Sequence, residues 1–369
     1  MSLGQTNFAK LTDEQKTVWQ RRTWRAARNN MFLGKFLGTD STAMIQRVTE
    51  LTRSEKGARA VLTLVHDLEG DGVAGDRFLE GNEEEMKSSD QVITMDQLRN
   101  GVRSKGKIAD QRSVVNFRNE GRTNLSYWLA DRFDQMGFLT LSGVSYALHT
   151  NGAARSASDL AQLEFAADVT APSLNRHFQW DAGTANLVPV DHDTLVAADT
   201  PSYAMMVELK GLAEDSYIKP LRMNGGVSWY NVFMTPKGMT KLKLDEDFKK
   251  AYREAMPRTP NHPIFKGTDV VWLDGLAIHT YRHVYNNTKA AAKWGSGFNV
   301  TGQRVLLCGA QSMGMVDFSQ PEWEEKTFDY GNQLGVSIAK MGGLLKPRFH
   351  SIYTGQDDDF SVLAIDTAI

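Results

Sequence analysis

Two apolar runs separated by a long, strongly acidic segment constrain this chain more than any other feature of its 369 residues. Ala58 to His66 (ARAVLTLVH) and Gln91 to Asp96 (QVITMD) are rich in β-branched and aliphatic residues and read as strands. Between them, Asp67 to Asp90 holds nine acids (Asp67, Glu69, Asp71, Asp76, Glu80, Glu83, Glu84, Glu85, Asp90) against Arg77 and Lys87, a formal charge of −7. Hairpins ordinarily close with about 2–5 residues. A segment so long and so charged is not expected to fold on itself. It is either disordered or held by something outside its own fold, and the second is the expectation.

A helix follows from Gln111 to Met136. Val114, Phe117, Leu125, Trp128, Leu129, Phe133 and Met136 recur at spacings of three and four, with Gly121 on the same stripe. The stripe is about 25 residues long, roughly 37 Å at the helical rise, where globular helices average about 11–12 residues. It reads as a structural spine, with Phe117, Leu125, Trp128, Leu129 and Phe133 buried beneath a sheet that includes the C-terminal strands.

The text GDGVAGDRFLEGNEEE, followed by VITMDQLRNGV and a long helix, resembles a family of major capsid proteins of tailed bacteriophages, the one that includes those of the N-four-type podophages. The resemblance runs from Phe32 to the final FSVLAIDTAI and rests on Gly, Asp and Glu positions, not on a catalytic signature. It implies an α+β chain of the Hong Kong 97-type capsid fold. On that pattern residues 1–56 are an N-terminal arm, 57–105 an extended loop built as a β-hairpin, 106–165 a peripheral domain with the spine helix, 166–300 an axial domain, and 301–369 return strands. It also implies a protein that is not an enzyme, needs no cofactor, and self-assembles as pentamers and hexamers into an icosahedral shell around double-stranded DNA. Such a protein is assembled in the host cytoplasm and resides in the virion. A portal is an implied partner, and a decoration protein stays open. A separate scaffolding protein is expected, because the chain lacks the long charged helical extension that serves relatives as a fused scaffold.

In that scheme the loop residues Asp76, Arg77, Glu80, Glu83, Glu84 and Glu85 contact a neighbouring subunit. The arm would do the same through Trp19, Arg21, Arg22, Trp24, Arg25 and Arg28. Charge fits both roles: residues 1–60 carry eleven bases and five acids, a formal +6 that the net charge of −2 conceals. A basic tail and an acidic loop suit repeating head-to-tail contacts, although they can equally pair within one chain. Leu11 to Asn30 reads as a basic amphipathic helix capped by Thr12.

Composition narrows the class. With 41% hydrophobic and 23% charged residues the chain resembles an ordinary soluble protein, and no apolar run approaches the ~20 residues of a membrane span. The start, MSLGQTNFAKLTDEQ, lacks a signal pattern, so the protein is expected to stay inside the cell until something releases it. The single cysteine, Cys308 in VLLCGA, excludes an internal disulfide and reads as a buried apolar residue.

Downstream of the spine, Gly137 to Arg155 and Ala166 to Thr200 are small, mixed and loop-like. A helix is expected over Pro201 to Asp215, strands in IKPLRM and WYNVFMT, and a charged surface helix over Lys241 to Met256. Asp274-Gly275 inside Val270 to Val284 signals a two-residue hairpin turn. Asn286 to Gly302 reads as an exposed loop, while Arg304 to Ala310, Gly335 to Met341 and Phe360 to Ala364 read as strands, so the chain ends inside a sheet.

Motifs that suggest chemistry dissolve on inspection. Gly70, Gly72 and Gly75 form a G-x-G-x-x-G, yet Asp67, Glu69, Asp71 and Asp76 would surround a pyrophosphate with negative charge, and no helix begins there. The same acids open like a calcium loop, but its twelfth position is Phe78 instead of Glu. His279 and His283 lack a third ligand at recognisable spacing. Two rival readings stand beside the shell protein: a soluble α+β enzyme with a loop-built site around Asp67, Asp71 and His279, and a nucleic-acid-binding module using the basic first helix.

Overall fold

The computed structural model describes residues 31–48, 59–65, 70–85, 88–112, 117–222, 228–255, 270–317, 321–351 and 354–369. The helix expected over Leu11 to Asn30, with its arm residues, lies outside the described residues. The chain is α+β, built among the described residues on a six-stranded and an eight-stranded sheet with two separate two-stranded pairs.

The long helix is Phe117–Ser142, preceded by a short helix Lys107–Arg112. It therefore runs six residues past the expected end at Met136. Gly137 looks like a stop in sequence, but it is an interior position where a Cβ would sit 2.3 Å from Leu33 Cδ1. Only a bare backbone admits Leu33 there. Gly143 is the real terminator: its φ is +65°, its N–H donates to Thr140 O, and the Val144 N–H donates to Leu139 O at 2.9 Å. Leu125, Leu129, Phe133 and Met136 are buried in the first core, while Phe117 and Trp128 are only partly covered.

The six-stranded sheet centres on the thirteen-residue strand Gln333–Leu345, longer than the expected Gly335–Met341. It pairs antiparallel with Glu322–Phe328 and Met313–Asp317, and Asp96–Arg103 pairs with it as well. Ile45–Val48 lies parallel to Met313–Asp317. Gly342 backs onto the Phe133 ring, so helix and sheet meet closely. The expected hairpin forms between Arg59–Val65 and Ser88–Thr94, in register from Arg59 with Thr94 to Val65 with Ser88. Ala60, Leu62 and Ile93 anchor its base against Val48, Val316 and Leu345.

In the eight-stranded sheet, Gly302–Cys308 lies between Ser228–Met234 and Val362–Ala368, and the latter pairs on its far side with His177–Asp181. Strand alternation assigns the cores. Leu306, Cys308, Val362 and Ala364 face the spine helix, and Val305, Leu307, Leu363 and Ile365 face the helix Tyr203–Asp215 through Met205, Met206 and Leu209. One sheet is thus the wall between two apolar cores, which is why VLLC and VLAI are apolar at every position.

Several expectations are corrected. The stretch Ala166 to Thr200 contains the hairpin His177–Asp181 and Asn186–Pro189. IKPLRM supplies only Leu221–Arg222. The single helix expected over Lys241 to Met256 is two, Pro236–Leu244 and Glu246–Ala255, broken where the Asp245 carboxylate accepts the Phe248 N–H. Asn286 to Gly302 has no helix or strand before Gly302, yet Asn287, Trp294 and Val300 are buried, so it is not a surface loop throughout. The hairpin at Asp274-Gly275 forms as read, with φ of 44° and 78° at the two turn residues.

At the wall, Arg304 stands directly opposite Asp366. Its Nε donates to Asp366 Oδ1 at 2.8 Å, its Nη2 to Oδ2 at 2.9 Å, and its Nη1 to the Ser142 carbonyl, the last of the spine helix, at 2.7 Å. Burial opposes ionisation of Asp366, but the Arg304 guanidinium holds its carboxyl well below the usual carboxylate range.

Three stability measurements follow on the free subunit. Phe133→Ala opens a cavity under Gly342 and should cost about 3–5 kcal/mol in chemical denaturation. Asp366→Asn strands the buried Arg304 charge and should cost about 3–5 kcal/mol, whereas His192→Gln, which removes a partly exposed donor to the same carboxylate, should cost about 1 kcal/mol.

Candidate assembly surfaces

The acidic loop projects from its hairpin with Asp76, Arg77, Glu80, Glu83, Glu84 and Glu85 all exposed. Contrary to the expectation that it cannot fold on itself, it makes internal ties. The Gly70 N–H donates to Glu84 Oε2 at 2.7 Å, the Gly81 N–H to Glu83 Oε2 at 2.7 Å, and Asn82 Nδ2 to Phe78 O at 3.0 Å. Gly72 and Gly75, both at φ +70°, turn the chain where a side chain would be strained. Carboxylates thereby replace the cross-loop hydrogen bonds that a ladder would supply. Among the described residues, Asp76, Glu80 and Glu85 have no ion-pair partner. Beside them Phe78 is 84% and Leu79 60% exposed, an apolar pair set in negative charge.

A second surface is an open cleft of about 660 Å³ where the strand after the hairpin, the spine helix and the segment 149–163 meet. Its floor is apolar: Leu98 and Trp128 are partly covered, and Leu160 and Leu163 belong to the first core. Its rim is basic. Arg132 Nη1 and Arg155 Nη2 both donate to Gln135 Oε1, at 2.7 and 2.8 Å, so two guanidiniums share one neutral oxygen. Burial, then the neighbouring Arg132, pushes the Arg155 pKa down, and burial followed by Arg155 and Arg132 does the same to His149. Arg99 is exposed at the same mouth. Asp159 is the carboxylate of the lining. Nearby Asp131 faces both ways: its Oδ1 accepts from His283 at 2.7 Å and Arg282 at 2.8 Å, its Oδ2 accepts from Gln135 Nε2 at 2.8 Å and lies 3.8 Å from Arg132 Nη1, and the His283 hydrogen bond, outweighing burial, holds its pKa down to about 2.

His177, His192 and Asp366, which the sequence did not single out, cluster closely enough to hold a metal ion. Their chemistry argues otherwise. A carboxylate oxygen can only accept, so both imidazoles donate through Nε2 to Asp366 Oδ2, at 2.8 and 2.7 Å. Arg304 already balances that carboxylate, and a divalent cation would add two uncompensated charges beside a buried guanidinium. The cluster is a charge network that fixes the sheet.

The residues proposed for an enzyme site are not brought together: Asp71 lies in the exposed loop, while His279 packs between Phe233 and Phe36 with burial, then Lys35, pushing its pKa down to about 4. Asp67 and the arm residues Trp19, Arg21, Arg22, Trp24, Arg25 and Arg28 lie outside the described residues. No helix among the described residues is long and apolar enough to cross a membrane.

Comparison with known proteins agrees with this architecture. A sequence profile described as "Phage capsid protein" matches residues 7–369. The major capsid protein of Pseudomonas phage KPP25 is 53% identical over 367 residues, covering 98% of this chain and 97% of that protein. The capsid of Ralstonia phage GP4 superposes with a TM-score of 0.74 at 23% identity, over 100% of this chain and 95% of that one. The capsid of cyanophage Pam1 does so with a TM-score of 0.71 at 18% identity, over 100% and 96%. The chain therefore belongs to the phage capsid protein family: it is a major capsid protein of Hong Kong 97-type fold, a non-enzymatic building block of the icosahedral virion shell.

Proposed function

We propose that the shell is built from pentamers and hexamers of this chain held together by the acidic loop and the basic arm, and that it encloses double-stranded DNA. The observation that carries this reading is the loop itself, with Asp76, Glu80 and Glu85 unpaired among the described residues and Phe78 and Leu79 in water. Exposed apolar side chains rimmed by charge mark interaction sites. Obligate interfaces bury on the order of 2,000–5,000 Å², so stability belongs to the assembly more than to the lone subunit.

The domain division fits the same reading: hairpin 57–105 as the extended loop, 106–165 as the peripheral domain, 166–300 as the axial domain at the five- and six-fold centres, and 301–369 as strands returning to both. Residues 301–369 supply strands to both sheets, Met313–Asp317, Glu322–Phe328 and Gln333–Leu345 to the six-stranded one and Gly302–Cys308 and Val362–Ala368 to the eight-stranded one, and this supports it. Assembly takes place in the host cytoplasm with a separate scaffolding protein and a portal, on a shell able to take a decoration protein. Family resemblance supports these partners. The arm, through Trp19, Trp24 and its four arginines Arg21, Arg22, Arg25 and Arg28, lies on another subunit, and its +6 segment supports an acidic neighbour.

Replacing Glu83, Glu84 and Glu85 together with Lys should leave the subunit folded by circular dichroism and stop particle formation by electron microscopy. Normal heads from that variant would sink the loop reading. Deleting residues 1–30 should preserve folding and weaken assembly; an insoluble product would place the arm in the subunit core instead.

A further inference from the structure

The hairpin rests on bare backbone and is aimed by one side chain. We propose that Gln91 is the positioning residue that sets the angle at which the hairpin leaves the subunit, and with it the uniformity of the shell. This rests on the reading of the loop as an intersubunit contact and names the residue that aims it.

The seat comes first. Strands Arg59–Val65 and Ser88–Thr94 form a sheet of their own, so no ladder among the described residues ties them to the rest of the fold. At their base Ile93 and Thr94 lie on two glycines of the six-stranded sheet. A Cβ on Gly343 would stand 2.2 Å from the Thr94 carbonyl oxygen, and one on Gly314 would stand 2.8 Å from Ile93 Cδ1. Apolar contact across such a seat is non-directional, and two positions that could carry interlocking side chains carry none. The base therefore fixes where the hairpin starts and leaves its tilt to something else. Thr94, whose N–H donates to Asp168 Oδ2 at 3.3 Å, marks the pivot.

Gln91 supplies the tilt. It continues the inward face of the ribbon, since it lies opposite Leu62 and two residues before Ile93. Its Nε2 donates to the Arg348 carbonyl and its Oε1 accepts the Arg348 N–H at 3.0 Å, so one amide closes a two-bond clip on one residue of main chain. A carboxylate in its place would set an acceptor against the Arg348 carbonyl. The receiving residue is itself tied down: Arg348 Nε donates to Asp359 Oδ1 at 2.8 Å and its Nη2 to the Ala171 carbonyl, while the buried Lys346 Nζ holds the other Asp359 oxygen at 2.7 Å.

The clip has leverage because of where it sits. Gln91 lies about 10 Å beyond Thr94 at the strand rise, and the paired ribbon of seven residues reaches about 23 Å, with the loop farther out. Without the clip, a swing of roughly 10° about Thr94 would carry the end of the ribbon about 4 Å, more than the ~3 Å length of a hydrogen bond. Contacts between the loop and a neighbour cannot keep their register over such a range. A ring of copies closes only at a fixed rotation from one to the next, so an unclipped hairpin would admit several rotations and yield shells of several sizes.

The test uses the full chain, before and after assembly. Gln91→Ala and Gln91→Met, the second of which keeps the side-chain length, remove both hydrogen bonds, and Gln91→Glu keeps only the one from the Arg348 N–H. Spin labels on Glu80→Cys and Tyr127→Cys, both exposed positions, report the hairpin angle in the unassembled chain by pulsed electron resonance, and the buried Cys308 stays unlabelled. The distance distribution should roughly double in width in the Ala and Met variants and widen less in the Glu variant, while the melting temperature falls by only about 2–4 °C. By electron microscopy the Ala and Met variants should build shells of more than one diameter where the unmodified chain builds one. A side chain with a merely structural role would lower the melting temperature and leave both width and diameter as they were, which overturns the proposal. A broadened hairpin that still builds uniform shells overturns it as well. The Glu83, Glu84 and Glu85 triple variant separates the two readings. If it abolishes assembly while Gln91→Met matches the unmodified chain in width and diameter, the loop reading survives and the clip falls; if it builds normal heads, the loop reading falls and the clip with it.

Discussion

The fold depends on the cross-strand pair of Arg304 and Asp366. Because the two residues face each other in register, a slip of one position would leave a buried guanidinium opposite Ile365 or Thr367. Breaking a buried pair is far more costly than the pair is worth against apolar packing, so its main effect is on specificity: it admits a single alignment of the last strand. Arg304 also donates to the Ser142 carbonyl, where the negative end of the helix dipole attracts a cation. One side chain therefore sets the register of the wall and the position of the spine helix against it. His177 and His192 extend the constraint to the strand and loop on the far side of Asp366.

A second polar anchor holds the start of the described chain. Asp134 in the middle of the spine accepts the N–H groups of Phe32 and Leu33 and the Tyr281 hydroxyl, at 2.8, 3.0 and 2.7 Å, while burial pushes its pKa up against the pull of these donors. Phe32 stacks on Tyr281 at 4.1 Å. The segment that would lead out to the arm is thus fixed to the subunit by Asp134 and an aromatic stack.

What the sequence made legible follows physical locality. The hairpin at Asp274-Gly275 was readable because two adjacent residues must both take positive φ. The spine was readable from its spacing, but its end was not, since Gly137 is explained by Leu33, a residue a hundred positions away. The strands Met313–Asp317 and Glu322–Phe328 escaped notice: one is small and methionine-rich, and the other is charged because it lies at a sheet edge. The length and charge of the loop were plain, whereas the Glu84 tie to Gly70 needs a folded turn to exist. The cleft had no signal, for its residues come from separate parts of the chain and each looks like an ordinary surface arginine or core leucine.

The place of Val362–Ala368 bears on the order of events during synthesis. This strand inserts between Gly302–Cys308 and His177–Asp181, both of which leave the ribosome earlier. Until it arrives, each neighbour presents an unpaired edge, and the wall between the two cores has a gap. A chain lacking Val362–Ala368 would therefore present two open edges and leave both cores short of the apolar side chains that this strand supplies. A chain without this strand is thus open to pairing with other strands, and so to aggregation, before it can take the shape of a shell subunit.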